Sequence, residues 1–77
     1  MTKATKISPQ EIIVGQEYNF YGNIYNGWNA DGTRYICKDN VTRKVVSINY
    51  EQNVINCICS RQFIIDSELV ITQYNYN

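Results

Sequence analysis

The chain contains no histidine. Histidine is the commonest general base of enzymes and the commonest metal ligand of proteins, so its absence disfavours nucleophile triads and most metal centres. The four glycines also fit neither of the common phosphate-binding loop patterns. We therefore predict a protein that is not an enzyme and that binds no cofactor.

Cysteine is scarce and odd in number, since the chain has only Cys37, Cys57 and Cys59. An odd count argues against a disulfide framework, and reduced thiols are typical of the cytoplasm. One residue separates Cys57 from Cys59, whereas the cysteines of a zinc knuckle are further apart. We interpret the cysteines as small apolar side chains and predict no metal site.

Long apolar runs are also missing. No stretch approaches the roughly 18 apolar residues of a membrane helix, and no signal-peptide pattern follows the polar residues at the start of the chain. The sequence therefore predicts a cytoplasmic protein without a membrane partner. Its 77 residues suffice for one domain with a thin core, which favours function on a flat face or in a shallow groove.

Neither sign of charge is in excess, because seven basic residues balance seven acidic ones. Nucleic-acid affinity depends mainly on phosphate neutralisation, so this balance disfavours such a function unless the charges are segregated. The basic residues in the middle of the chain are Arg34, Lys38, Arg43, Lys44 and Arg61. If they share one face, they predict a site that holds a single nucleic-acid strand by charge and by stacking on tyrosines. An ordinary mixed-charge surface is the alternative, which the zero net charge favours.

Leucine and alanine are rare, whereas Ile, Val, Thr and Tyr are frequent, and this composition favours strands over helices. Alternation and turn dipeptides predict five strands, at residues 18–21, 33–38, 43–50, 54–60 and 69–74. The turn dipeptides are Asn26-Gly27, Asp31-Gly32 and Asp39-Asn40. The spacing of Ser8 and Glu11 predicts a short helical turn before the strands. Residues 1–7 are predicted to be flexible and residues 8–77 to form the single domain.

The order of the predicted elements is a long first loop, two hairpins, a tight turn and a short last strand. This order resembles that of the SH3-like barrel. The resemblance is architectural, and it implies an all-β, small, five-stranded antiparallel barrel with a short N-terminal helical turn. An OB-like barrel is the alternative, but it needs a helix before its fourth strand, and no such helix is predicted.

Aromatic residues are concentrated between Tyr18 and Tyr35, where they alternate with asparagine and glycine. We interpret Tyr18, Phe20 and Tyr35 as structural residues that lie either in the core or on the pleated sheet. The predicted partner-binding residues follow from the surplus aromatics and their polar neighbours: Tyr21, Tyr25, Trp28, Asn29 and Arg34. Tyrosines that only pack against the barrel are an equally good interpretation.

These observations predict a non-catalytic interaction module that binds and modulates a larger protein or complex. The AT-rich codons of its commonest residues suggest a phage or mobile-element factor that acts on a host protein. Two other functions stay open, a single-stranded nucleic-acid-binding barrel and a structural or assembly subunit. The aromatic C-terminal residues 73–77 are either a frayed tail or a strand that pairs with another copy, which would give a homodimer.

Overall fold

A computed structural model describes residues 2–76, and within them the chain is all-β. The strands are β1 (Thr2–Ile7), β2 (Glu17–Trp28), β3 (Arg34–Asn49), β4 (Val54–Cys57), β5 (Arg61–Ile64) and β6 (Val70–Tyr76). They form one antiparallel sheet in the order β1-β6-β2-β3-β4-β5, and β2 also pairs with β5 through Ile24 and Phe63. The predicted helical turn is a single 3₁₀ turn, Pro9–Glu11, in which the Glu11 carboxylate accepts a hydrogen bond from the Ser8 N–H at 3.2 Å.

The structure has six strands where the sequence predicts five. The predicted turn at Asp39-Asn40 is wrong, because both residues lie inside the 16-residue strand β3. There the backbone is paired with β2 through Gly22↔Asp39 and Tyr21↔Asn40, and this long-range pairing overrides the local turn preference.

Two further boundaries differ from the sequence prediction. The chain turns after Cys57 instead of continuing to residue 60, with Cys59 and Ser60 in the left-handed region at φ 62° and 58°, so β4 and β5 form a hairpin. At the start of the chain, β1 pairs with β6 from Thr2↔Tyr76 to Ile7↔Ile71. The sequence prediction placed this segment outside the domain.

The core lies on one side of β2, because the side chains of a strand alternate between faces. Tyr18, Phe20 and Ile24 are buried, and the Phe20 ring stacks on Phe63 with 5.1 Å between centroids. The other buried apolar residues are Val45, Val54, Ile55, Cys57 and Ile71. The prediction that Tyr18 and Phe20 are core residues is confirmed. Tyr35 lies in β3 but outside the core, since its side chain is 46% exposed.

The opposite side of the β2–β3 pair, called the outer face here, consists of the residues that alternate with the core. On β2 it carries Asn19, Tyr21, Asn23 and Tyr25, whose direct partners on β3 are Thr42, Asn40, Lys38 and Ile36. The molecule measures 49 × 24 × 21 Å along its principal axes. Among residues 2–76 there is no helix with the length and apolar character needed to cross a membrane.

Candidate functional site

A tightly hydrogen-bonded loop, residues 29–33, joins β2 to β3. The Asp31 carboxylate accepts hydrogen bonds from the Thr33 hydroxyl at 2.7 Å and from the Thr33 N–H at 3.0 Å, and both contacts hold the pKa of Asp31 below its usual value. The Asn29 amide donates to the Thr33 hydroxyl at 2.9 Å, and Gly32 takes a φ of 91°. The predicted Asp31-Gly32 turn is therefore present, and it fixes the two residues that flank the loop, Trp28 and Arg34.

A β-bulge just before this loop brings two aromatic rings to the same side. Tyr25 and Trp28 are three residues apart, so on a regular strand they would point to opposite faces. The register shifts between them, with Tyr25 opposite Ile36 and Trp28 opposite Arg34. Gly27, at φ 90°, supplies the left-handed conformation that the bulge needs. The Asn26-Gly27 dipeptide, predicted as a turn, is therefore a bulge inside β2.

The guanidinium of Arg34 packs against both rings. Its central carbon lies 4.2 Å from the centroid of Tyr25 and 4.9 Å from the centroid of Trp28, both within cation–π range. Trp28 nevertheless stays 69% exposed. The rings and the cation thus hold one another in place without leaving the surface.

A shallow groove of about 350 Å³ adjoins this cluster and is lined by Tyr25, Arg34, Gln52, Val54 and Gln62. The Arg34 Nη2 lies 3.4 Å from the Gln62 Oε1, and the Gln62 amide donates to the Asn56 Oδ1 at 2.9 Å. Asn56 in turn donates to the Ser47 hydroxyl at 3.1 Å. We call Trp28 and the five residues that line the groove the aromatic surface.

The predicted partner-binding residues divide between this surface and other places. Tyr25, Trp28 and Arg34 are brought together, whereas Asn29 directs its side chain into the 29–33 loop. Tyr21 lies on the outer face about 13 Å further along β2, four residues from Tyr25. Sequence reasoning missed Gln62, which reaches the groove through the pairing of β5 with β4 and β2, and Gln52, which lies in the turn between β3 and β4.

The five basic residues do not share one face. Arg34, Lys38 and Lys44 occupy outer-face positions of β3, but Arg43 alternates to the core side. Arg61, opposite the buried Cys57, lies on the core side too, and its Nη1 is 3.1 Å from the Asp39 carboxylate. The Lys38 Nζ is 2.8 Å from the Glu68 carboxylate. Two of the five cations are thus neutralised within the chain.

Acidic side chains cluster around Lys38 on the outer face. The Asn23 amide donates to Asp66 at 2.9 Å and to Glu68 at 2.6 Å. Hydrogen bonds from Lys38 and then from Asn23 lower the pKa of Glu68, and the Glu68 carboxylate raises the pKa of Lys38. This network gives the middle of the outer face a negative edge beside the aromatic surface.

The three cysteines are free thiols in different surroundings. Cys57 is buried, and burial raises its pKa to about 11, whereas Cys37 is half-buried and Cys59 is exposed. Among residues 2–76 no three Cys, Asp or Glu side chains come close enough together to hold a metal ion.

No protein-family model matches the chain, and neither a curated protein nor a solved structure is significantly similar to it. The function is therefore inferred from the chemistry of the residues in the aromatic surface. The aromatic surface offers two rings, one guanidinium, two side-chain amides and the apolar side chain of Val54. This combination is suited to non-covalent recognition of another molecule.

Proposed function

We propose that this protein is a non-catalytic interaction module that binds a larger protein through the aromatic surface. The supporting observation is that Trp28 is 69% exposed although strand pairing and Arg34 hold it in place. Tryptophan, tyrosine and arginine are the residues that most often dominate the binding energy of protein interfaces. Three of them, Tyr25, Trp28 and Arg34, are adjacent here.

The rigidity of the surface supports the same function. A side chain that is already ordered loses little conformational entropy on binding, so more of its contact energy contributes to affinity. The bulge and the hydrogen-bonded loop order Trp28 and Arg34 before any partner arrives. The groove is near the lower limit of small-molecule pockets, which suits one or two partner side chains.

The fold and the cellular location in this proposal are those that the sequence predicts. The pairing of Ile24 with Phe63 supports a ring of β2, β3, β4 and β5, and hence a small SH3-like barrel. Free thiols at Cys37, Cys57 and Cys59 are consistent with the reducing cytoplasm. We further propose that the protein is a phage or mobile-element factor that modulates a host protein, and this part of the proposal rests on the amino-acid composition alone.

Single-stranded nucleic acid is the alternative partner, because Tyr25 and Trp28 present rings on which bases stack. The pairing of Lys38 with Glu68 and of Arg61 with Asp39 makes it the weaker proposal. Titration with an oligothymidylate across salt concentrations tests it, since phosphate contacts give a steep salt dependence. Tight, steeply salt-dependent binding would favour nucleic acid over protein.

A homodimer or assembly subunit is the other alternative. In the structure β6 pairs with β1 and, at residues 70–72, with β2. A second copy could therefore add to the edge of β6 at residues 73–76, beyond its pairing with β2, or to the outer edge of β1. Light scattering at micromolar concentrations tests this alternative, and a dimer that persists on dilution would support it.

The main proposal is tested by affinity capture from a bacterial lysate followed by mass spectrometry. The immobilised proteins are the wild type, Trp28→Ala and Tyr74→Ala, the last being a control that removes an exposed aromatic residue from β6. We expect one set of proteins to be retained by the wild type and by Tyr74→Ala but not by Trp28→Ala. Circular dichroism should show that all three are folded. Equal retention by all three proteins would contradict the proposal.

A further inference from the structure

Arg34 has unused hydrogen-bonding capacity at the mouth of the groove. Its guanidinium carries five N–H donors in one plane, and its contacts with the rings of Tyr25 and Trp28 are cation–π contacts that use none of them as a conventional hydrogen bond. Its contact with Gln62, at 3.4 Å, is longer than an ordinary N–H···O hydrogen bond. Within residues 2–76 the ion pairs are made by Lys38 and Arg61, so Arg34 has no carboxylate partner there.

Amide groups stand beside this cation. Gln62 turns its Oε1 toward Arg34 and donates its amide nitrogen to Asn56, and Gln52 lines the same groove. The planar guanidinium of Arg34 by itself matches a carboxylate, which accepts two parallel hydrogen bonds from arginine. The groove is therefore complementary in charge to a carboxylate side chain.

We propose that the segment recognised here is an acidic peptide, with one Asp or Glu carboxylate on Arg34 and an apolar side chain on Trp28. This inference rests on the proposed function of the aromatic surface. The centroid of Trp28 is 4.9 Å from the Arg34 guanidinium. In an extended peptide, alternate side chains point the same way at a spacing of about 7 Å. The two anchors therefore fit an acidic residue and an apolar residue two positions apart.

The surrounding charges favour a single carboxylate over a polyanion. On one side Asp31 stays ionised in the 29–33 loop, and on the other Asp66 and Glu68 surround Lys38. A nucleic-acid backbone that continued past the groove in either direction would bring its phosphates near these carboxylates. One acidic side chain held at Arg34 avoids that repulsion.

Selection from a displayed library of random heptapeptides tests the inference. The targets are the wild type, Trp28→Ala, Arg34→Gln and Lys44→Gln, the last being a control that removes an exposed cation from another position of β3. We expect the wild type and Lys44→Gln to enrich peptides with an acidic and an apolar residue two positions apart. Arg34→Gln should lose the acidic preference, and Trp28→Ala should enrich no such peptides.

Titration of the best synthetic peptide gives the quantitative test, with the fluorescence of Trp28, the only tryptophan, as the signal. Loss of a charged hydrogen-bond pair should raise the Kd about tenfold or more, so two changes are compared. These are Arg34→Gln in the protein and acid-to-amide replacement in the peptide. Each change alone should raise the Kd by this factor, and combining the two changes should raise it little further.

The outcomes separate this inference from the proposed function. Peptides that require Trp28 but show no acidic preference, or that bind Arg34→Gln equally well, would overturn the inference and leave the interaction surface intact. If no peptide depends on Trp28, the peptide inference is overturned, and the affinity capture with Trp28→Ala decides whether the aromatic surface binds a folded protein. Preferential, salt-dependent binding of oligothymidylate at the same residues would assign the surface to nucleic acid instead.

Discussion

Leu69 packs directly against Gly22 in the middle of β2. A Cβ added to Gly22 would lie 3.0 Å from the Cδ1 of Leu69 and 3.2 Å from its Cα. The pairing of β2 with β3 continues without a break through Gly22↔Asp39. The close approach of the chain at Leu69 therefore leaves little room for a side chain at position 22.

Gly22→Ala should lower the free energy of unfolding by about 1–3 kcal/mol, the usual cost of overpacking. Glycine-to-alanine changes stabilise by about 0.4–1 kcal/mol through the unfolded chain, but here the contact with the Leu69 backbone should outweigh that gain. Urea denaturation measures the difference. Adding Leu69→Ala should relieve the clash only in part, because the Cα remains. A Gly22→Ala protein as stable as the wild type would contradict the packing.

The sequence allowed the strand-rich fold and a small part of the core to be predicted, because alternation is a local signal. Tyr18 and Phe20 alternate with Asn19 and are buried as expected. Tyr35 is a strand residue but not a core residue, because it lies opposite the bulge near the end of the β2–β3 pair, where its side chain is 46% exposed. The Asp39-Asn40 dipeptide has turn chemistry but lies in a strand, since its register with β2 is set by residues far along the chain.

The candidate site shows the same division between local and long-range information. Trp28 was predicted to be exposed because it stands between two turn dipeptides, and it is. Gln52 and Gln62 carry no local signal, and Gln62 joins Arg34 only through the pairing of β5 with β4 and β2. The bulge that places Tyr25 and Trp28 on one side was likewise not predicted, because the Asn26-Gly27 dipeptide has the composition of a turn.

Alkaline pH should destabilise the protein through Cys57. Burial raises the pKa of this thiol from an ordinary value of 9.0 to about 11 in the folded protein. Between these two pH values the unfolded chain loses the proton and the folded chain keeps it, so the free energy of unfolding falls as pH rises. Comparing urea denaturation of the wild type and Cys57→Ala between pH 8 and about 11 isolates this contribution from that of tyrosine and lysine.

The stability difference between wild type and Cys57→Ala should shrink across that range. As a kinetic counterpart, Ellman's reagent at pH 8 should modify the exposed Cys59 first and Cys57 last. A difference that stays constant with pH, or early modification of Cys57 in folded protein, would show that the thiol is not buried as described.

Acidic pH should weaken the Lys38–Glu68–Asn23 network. The pKa of Glu68 is lowered from an ordinary value of 4.5, chiefly by the hydrogen bond from Lys38 and then by that from Asn23. Its contribution to stability is therefore present above pH 4.5 and is lost as pH falls through the lower, folded-state pKa. Because the groups are exposed, the effect should be small and should decrease further at high salt.

Urea denaturation of the wild type and Glu68→Gln tests this at low ionic strength. The wild type should be the more stable protein at pH 7, and the two should converge at pH 2. Ser67→Ala, in the same turn, controls for local changes of the loop. A Glu68→Gln protein that is equally destabilised at both pH values would indicate a packing effect and not an ionic one.

The ion pair between Asp39 and Arg61 should be energetically coupled, because both side chains are largely covered, with 25% and 30% of their surface exposed. The Asp39 Oδ2 lies 3.1 Å from the Arg61 Nη1, although the angle does not make a well-aligned hydrogen bond. Replacing Asp39 with Asn leaves the half-buried guanidinium without its counter-charge, which should cost about 1–3 kcal/mol. Arg61→Gln should likewise leave the Asp39 carboxylate without its counter-charge, at a similar cost in the free energy of unfolding.

In the double variant Asp39→Asn/Arg61→Gln both charges are gone, so neither is left uncompensated. Its loss of stability should be clearly smaller than the sum of the two single losses, and urea denaturation of the four proteins gives the coupling energy directly. Lys44→Gln combined with Asp39→Asn, two residues without an ion pair between them, should be additive. If the losses of stability in the Asp39–Arg61 cycle were also additive, the coupling energy would be zero. The two charges would then not stabilise the fold through an interaction with each other.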